Sequence, residues 1–181
     1  MTISIAVSAR RVFTLPVDLR TSREHFRDFQ QTLRYLPDLG LVKTYAQDQY
    51  RIVYSAAHAG VYRVELYSDI QARFDDAEDV LYVTPLEGIP AVASKATLGS
   101  LTGQGEYSSR LAFRAAGTRT NAAYDVRISA TLAKPLGLKL IPDRAVRLFV
   151  ERVVQRRIKE ITDAFIQRAI AALRAQQQYR A

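Results

Sequence analysis

Ten tyrosines and two histidines make hydroxyl groups the first chemistry to weigh in this chain. Tyr54, Tyr62, Tyr107 and Tyr124 fall on runs of β-forming residues, at positions that share the apolar side of each run. A tyrosine carries an apolar ring and one hydroxyl that seeks a partner when buried. Several around a pocket could orient an oxygen of an apolar ligand; the same residues could also simply fill a core. The histidines offer less. His25 is expected on an exposed first helical turn and His58 beside Gly60 at a hairpin, with no acid patterned near either. A metal site needs three or four ligands, and a general base needs a group to orient it. There are no cysteines, so thiolate metal sites, iron–sulfur clusters and cysteine nucleophiles are excluded. On these grounds the sequence assigns no catalytic residue, no metal ligand and no cofactor.

Two loops invite and fail a ligand reading. Residues 99–105 hold Gly99, Gly103 and Gly105, but not at phosphate-loop spacing, and a strand rather than a helix follows. The stretch is expected to lead flexibly into that strand. The acidic run Asp75-Asp76-Ala77-Glu78-Asp79 lacks the glycine and alternation of a calcium loop and reads as a solvated turn.

The strongest rival to a pocket is the basic C-terminal segment, with Arg144, Arg147, Arg152, Arg156, Arg157 and Lys159 among its cations. The formal net charge is +8, which favours acidic partners in general. Such a face could lie on an anionic membrane surface or track a phosphate backbone. It could equally be a solvated face relieved by pairs such as Arg156 with Glu160. Nucleic acid is disfavoured, because no recognition motif or stacking aromatic set accompanies the charge.

These residues must be positioned by ordinary elements. A chain of 181 residues, 48% hydrophobic, has the size and composition of one globular domain. Its opening, MTISIAVSARRVF, puts charge after a short apolar stretch and is not expected to act as a signal peptide. With no cysteine, a cytoplasmic setting is the expectation. Residues 9–15 read as a first strand. Thr21-Ser22-Arg23-Glu24 reads as a capping box for a helix whose Phe26, Phe29, Leu33 and Leu36 share a face, closed by Pro37. Strand-like runs follow at 41–47, 49–57, 61–74, 80–86, 105–115 and 119–133, with a loop at 87–102. In 61–74, Tyr62, Val64, Leu66 and Phe74 alternate with Arg63, Glu65, Asp69 and Arg73, which assigns the acids to the outer face. A linker at 134–142 leads to a helix from Asp143 of about 35 residues, roughly 50 Å long.

Strands with one apolar face need a cover. The order strand, short helical segment, six hairpin strands and one long helix resembles the helix-grip fold of the START-like superfamily, which includes polyketide cyclases and birch-allergen proteins. The capped helix at Thr21-Ser22-Arg23-Glu24, its Leu36-Pro37-Asp38-Leu39 exit, the alternating strands and the closing helix carry the resemblance. It implies an α+β domain over residues 1–181, its core about 9–175, with an antiparallel sheet of about seven strands around the C-terminal helix. It also implies a pocket for a lipid, isoprenoid or polyketide-like molecule. The wall would comprise Tyr62, Val64, Leu66, Phe74, Tyr107, Phe113, Tyr124, Val126, Phe149 and Val153. The expected role is a noncatalytic carrier, with the basic helix favouring an acidic headgroup. A cyclase or hydrolase in the same pocket, and a membrane or nucleic-acid adaptor, are the alternatives.

Overall fold

The computed structural model describes residues 2–58, 62–134 and 140–180, with only the backbone at 58, 62, 179 and 180. The elements run β1 (Thr2–Leu15), α1 (Leu19–Phe26), α2 (Phe29–Leu33), β2 (Leu39–Ala46), β3 (Gln49–His58), β4 (Tyr62–Asp75), β5 (Val80–Pro85), β6 (Lys95–Ala96), β7 (Ser100–Ala116), β8 (Arg119–Ala133) and α3 (Asp143–Arg180). The seven longer strands form one open sheet in the order β1-β8-β7-β5-β4-β3-β2, and the short β6 pairs with β7. Neighbours along that path are antiparallel. This is the expected α+β architecture, an open antiparallel sheet with a long C-terminal helix against it.

Several local expectations are corrected. β1 begins at Thr2 rather than residue 9, because Ile3, Ile5, Val7 and Ala9 all turn inward at a period of two. It pairs with β8 from Thr2 opposite Ala133 to Leu15 opposite Thr120. The cap of α1 is Asp18, whose carboxylate accepts from the Thr21 amide at 2.8 Å; Glu24 instead pairs with Arg20. The single expected helix is two, because Asp28 caps a second one by accepting from the Gln30 amide at 2.8 Å. Phe26, Phe29, Leu33 and Leu36 are nevertheless all buried together. His25 is buried, not exposed: it stacks on Tyr35 and meets its hydroxyl at 2.9 Å. Gly60 and most of the expected 134–142 linker lie outside the described residues.

From Ser100 onward the glycine stretch is strand, with Gly103 and Gly105 inside β7, and Gly99 is a bend before it. A Cβ at Gly103 would lie 2.6 Å from Leu132 Cδ2, and one at Gly105 2.7 Å from the Ser129 carbonyl oxygen. Glycine allows β7 to press this closely on β8. β5 has six residues against fourteen in β4. Beyond its end β4 and β7 close on one another in parallel, Arg63–Tyr67 against Ser100–Gln104. That seam carries Val64, Leu66 and Leu101.

α3 has 38 residues, about 57 Å at the usual helical rise. It is tied to β1 by Arg11 to Asp163 at 2.7 Å and by Gln155 to the Ser8 carbonyl at 2.8 Å, and to the residue after β1 by Gln177 to the Pro16 carbonyl at 3.0 Å. Its two halves pack differently. Ile158, Ile161, Phe165, Ala169 and Leu173 are buried in the main core with Phe26, Phe113 and Tyr124. Over residues 143–157 only Val146 is buried, within a smaller cluster of Ile3, Ile5, Leu101, Ala130 and Leu132. Among the described residues no helix is long and apolar enough to cross a membrane.

Candidate functional site

The loosely packed half of α3 stands over a cavity of about 620 Å³. Ile5 of β1, Ile52 of β3, the β4–β7 seam, Val126, Ile128 and Leu132 of β8, and Phe149, Val150, Val153, Val154, Ile158 and Ile161 of α3 form its wall. Leu36 and Leu39 border it where α2 hands over to β2. Leu98, 83% exposed, and Phe149, 63% exposed, stand at the rim.

Of the residues expected to line a pocket, Val64, Leu66, Tyr107, Tyr124, Val126, Phe149 and Val153 border this cavity. Phe74 and Phe113 do not. They stack with ring centroids 6.2 Å apart, and Phe26 lies 5.3 Å from Phe113, in the solid core beneath α1. Alternation assigns a residue to a face; it does not say how far along the strand the cavity reaches. Tyr62 and His58 have side chains outside the described residues.

The polar part of the wall is sparse. It consists of Tyr54, Tyr107, Tyr124, Ser68, Thr97, Thr162 and Arg157. The hydroxyls of Tyr107 and Tyr124 are 2.8 Å apart on neighbouring strands. Burial pushes both hydroxyls above the ordinary tyrosine pKa, Tyr124 well above it. Both are therefore undissociated near neutrality. Tyr54 is raised for the same first reason.

The sequence reads Arg157 only as part of a basic face, yet it lines the cavity. The signal was present: it falls four residues after Val153 and four before Ile161, on the apolar stripe itself. Its guanidinium is engaged at both terminal nitrogens, while its buried Nε has no hydrogen-bond partner among the described residues. One terminal nitrogen donates to Glu160 at 2.9 Å and the other to Asp38. Arg156 shares Glu160 at 2.9 Å, which is the i, i+4 pair expected from the sequence. The hydrogen bond to Glu160 leads the effects that hold Arg157 above the usual arginine range, and that from Arg157 leads those that lower Glu160.

A second polar cluster lies on the opposite face of the sheet. Asp69 points outward from β4 as expected, yet it is 4% exposed. Segment 86–94 folds over it. Arg51 donates twice to Asp69 at 2.8 Å and once to the Pro90 carbonyl at 2.8 Å. Tyr45 and Gln104 also donate to Asp69, at 2.8 and 2.9 Å, and Gln104 accepts from the Val92 amide. Burial would raise the Asp69 carboxyl, but Arg51, Tyr45 and Gln104 outweigh it and hold it below the ordinary value. This cluster secures the loop whose continuation carries Thr97 and Leu98 to the cavity rim. The acidic turn after β4 is likewise bound, by Arg23 and Arg27 to Asp76.

No protein-family model matches this chain, and no curated protein resembles it in sequence. Solved structures do match in shape. The Zhui aromatase/cyclase from Streptomyces sp. R1128 is 18% identical over 91% of this chain and 93% of its own, with a TM-score of 0.52. A conserved protein from Geobacillus kaustophilus is 10% identical over 93% of this chain and 96% of its own, with a TM-score of 0.59. The two-domain aromatase/cyclase of the steffimycin biosynthetic pathway is 10% identical, over 96% of this chain and 52% of that longer one, with a TM-score of 0.55. At such identities the likeness is one of fold. The chain has the START-like helix-grip fold that its order of elements resembles.

Proposed function

We propose that this protein is a noncatalytic binding or carrier domain for a small hydrophobic molecule held between the sheet and α3. The cavity of about 620 Å³, walled chiefly by aliphatic and aromatic side chains, is the observation that carries this reading. It lies within the usual size range of small-molecule sites and has the few convergent polar groups typical of them. Removing apolar surface from water supplies ~25 cal/mol per Å², from which the cost of immobilising the ligand is subtracted. Two structural neighbours are aromatase/cyclases, so a pocket enzyme is the natural rival. Among the described residues the wall offers no carboxylate or histidine, and its protonated tyrosines can donate a hydrogen bond but not act as a base near neutrality. The test is mass spectrometry of denatured protein purified from its own cells, with titration of the empty protein by the neutral fluorophore N-phenyl-1-naphthylamine. A co-purifying apolar molecule and saturable probe binding are expected. The absence of both a co-purifying molecule and probe binding would sink the reading.

A membrane surface is a second partner favoured by a specific observation. Leu98 and Phe149 are exposed at the rim, Leu148 is exposed beside Phe149, and the exposed Arg144, Arg147 and Arg152 flank the last two on α3. Apolar residues beside cations suit an anionic lipid surface, with the cavity mouth facing the bilayer. Flotation with vesicles containing phosphatidylserine, but not with phosphatidylcholine alone, is the expected result, and Phe149→Glu should abolish it. Equal flotation with both lipids would refute the electrostatic part.

A further inference from the structure

The net charge of +8 and the basic α3 favour an acidic ligand on first reading. The cavity wall points the other way. Its one charged side chain is Arg157, and among the described residues no Asp, Glu, Lys or His joins it there. Both terminal nitrogens of Arg157 are already given to Asp38 and Glu160, and Arg156 completes the group. Two guanidinium and two carboxylate charges cancel. The buried Nε–H of Arg157 has no hydrogen-bond partner among the described residues and can donate to a ligand oxygen, but the group around it carries no net charge to offset a carboxylate. A ligand carboxylate would therefore lie in an apolar cavity without a counter-ion, where an ionised group is strongly disfavoured. The remaining polar groups are neutral hydroxyls. Tyr107 and Tyr124 share one O–H between them at 2.8 Å with Ser109 against both, and a hydroxyl of this cluster can turn its proton toward a ligand oxygen.

We infer that the cavity selects an uncharged, largely apolar molecule bearing a hydroxyl or carbonyl oxygen, and discriminates against the corresponding carboxylate. The inference rests on the carrier reading above and adds the chemical class of the cargo. The Arg157 bracket confers the discrimination: it fills the wall with a guanidinium while leaving no net charge for an anion. The excess positive charge of the protein therefore belongs to its surface, not to its ligand.

The test is displacement of N-phenyl-1-naphthylamine from the full chain by 1-decanol, 2-decanone and decanoate at about pH 8, where the acid is ionised. The alcohol and the ketone should displace the probe at concentrations at least about tenfold lower than decanoate, a difference of ~1.4 kcal/mol. Glu160→Gln removes one of the two negative charges that neutralise the group, at an exposed position on α3. It should improve decanoate by about tenfold and leave decanol within about twofold. Asp38→Asn is the second variant. Asp38 has φ +60, a conformation asparagine accepts, so the fold should tolerate it. Decanoate displacing as well as decanol from the native protein would overturn the inference. A gap that neither substitution narrows would overturn the role given to Arg157. If no molecule co-purifies and the probe never binds, the carrier reading fails and this inference with it; if the probe binds and the three ligands compete equally, only this inference fails.

Discussion

Two phenylalanines on one helix should give opposite results when truncated. Phe165 is 1% exposed, with its ring 4.9 Å from that of Tyr124 and 6.3 Å from that of Phe26. Phe149, about four turns earlier, is 63% exposed at the cavity rim. Burying a phenylalanine fully contributes about 1.5–3 kcal/mol by transfer, and the hole left by truncation in a packed core raises the cost to ~3–5 kcal/mol. Phe165→Ala should therefore lose ~3–5 kcal/mol in urea unfolding followed by circular dichroism. Phe149 has only about a third of its surface to lose and no packed shell to collapse, so Phe149→Ala should cost less than ~1 kcal/mol. The order reverses in a binding assay. Phe149→Ala removes part of the rim and should weaken the neutral probe by about fivefold, equivalent to ~1 kcal/mol. Phe165→Leu, milder than alanine and behind the wall rather than part of it, should bind it nearly as well as the native chain. Equal destabilisation by the two alanines would refute the division of α3 into an anchored and a spanning half.

Other substitutions probe the polar groups. Tyr107→Phe leaves the Tyr124 hydroxyl with Ser109 alone and should cost ~1 kcal/mol, with the double Phe variant less destabilised than the two single losses combined; strict additivity in the double-mutant cycle would contradict the pairing. Asp69→Asn leaves Arg51 without a counter-ion beneath the 86–94 segment and should destabilise by about 3 kcal/mol at neutral pH. The Asp69 pKa is lowered on folding, so its contribution is present above the ordinary value of 3.8 and is lost as pH falls through the folded value. The native protein and the Asp69→Asn variant should thus converge in acid, and a constant gap down to about pH 2 would refute this. His25 has the opposite sign: burial lowers its pKa, so the unfolded chain binds the extra proton more readily. Stability is full above the ordinary histidine value of 6.5, declines as pH falls below it and levels off below the folded value. His25→Gln should flatten the native curve between about pH 7 and 5, measured as the difference between the two proteins.

The fold was legible because its elements announce themselves by period. The alternations in β4, β7 and β8 and the stripe from Ile158 to Leu173 each require a cover, and only one arrangement supplies it. What was missed has local causes. Residues 2–8 alternate as clearly as any strand, but small serines and alanines between the aliphatics weaken the contrast. The Asp18 cap was obscured by a second acceptor-rich motif three residues later. Asp69 looked solvated because periodicity reports the face of a strand, not whether a loop 20 residues later in sequence returns to cover that face. Phe74 and Phe113 share the inward face with the cavity residues but lie near α1, a distance along the strand that one sequence does not encode. Arg157 was hidden by its charge: on an otherwise apolar stripe, a cation reads as a boundary rather than as part of a wall.

The uneven burial of α3 has a consequence for how the molecule opens. Ordinary helices fray at both ends and protect their middle. Here the helix from Ile158 to Leu173 is anchored in the main core, while the turns between Asp143 and Arg157 bury only Val146. These turns are held otherwise by half-buried Val150 and Val154, by Gln155 and Arg157 near their end, and by Lys134, whose ammonium donates to Asp143 at 2.7 Å and to the Ile141 carbonyl at 2.6 Å. Hydrogen exchange should rise stepwise along the helix toward Asp143, with the step near Arg157, because the first turns can lift without loss of the global fold. A bound molecule touching Val150 and Val153 would flatten that step, so the exchange profile of one helix reports whether the cavity is filled.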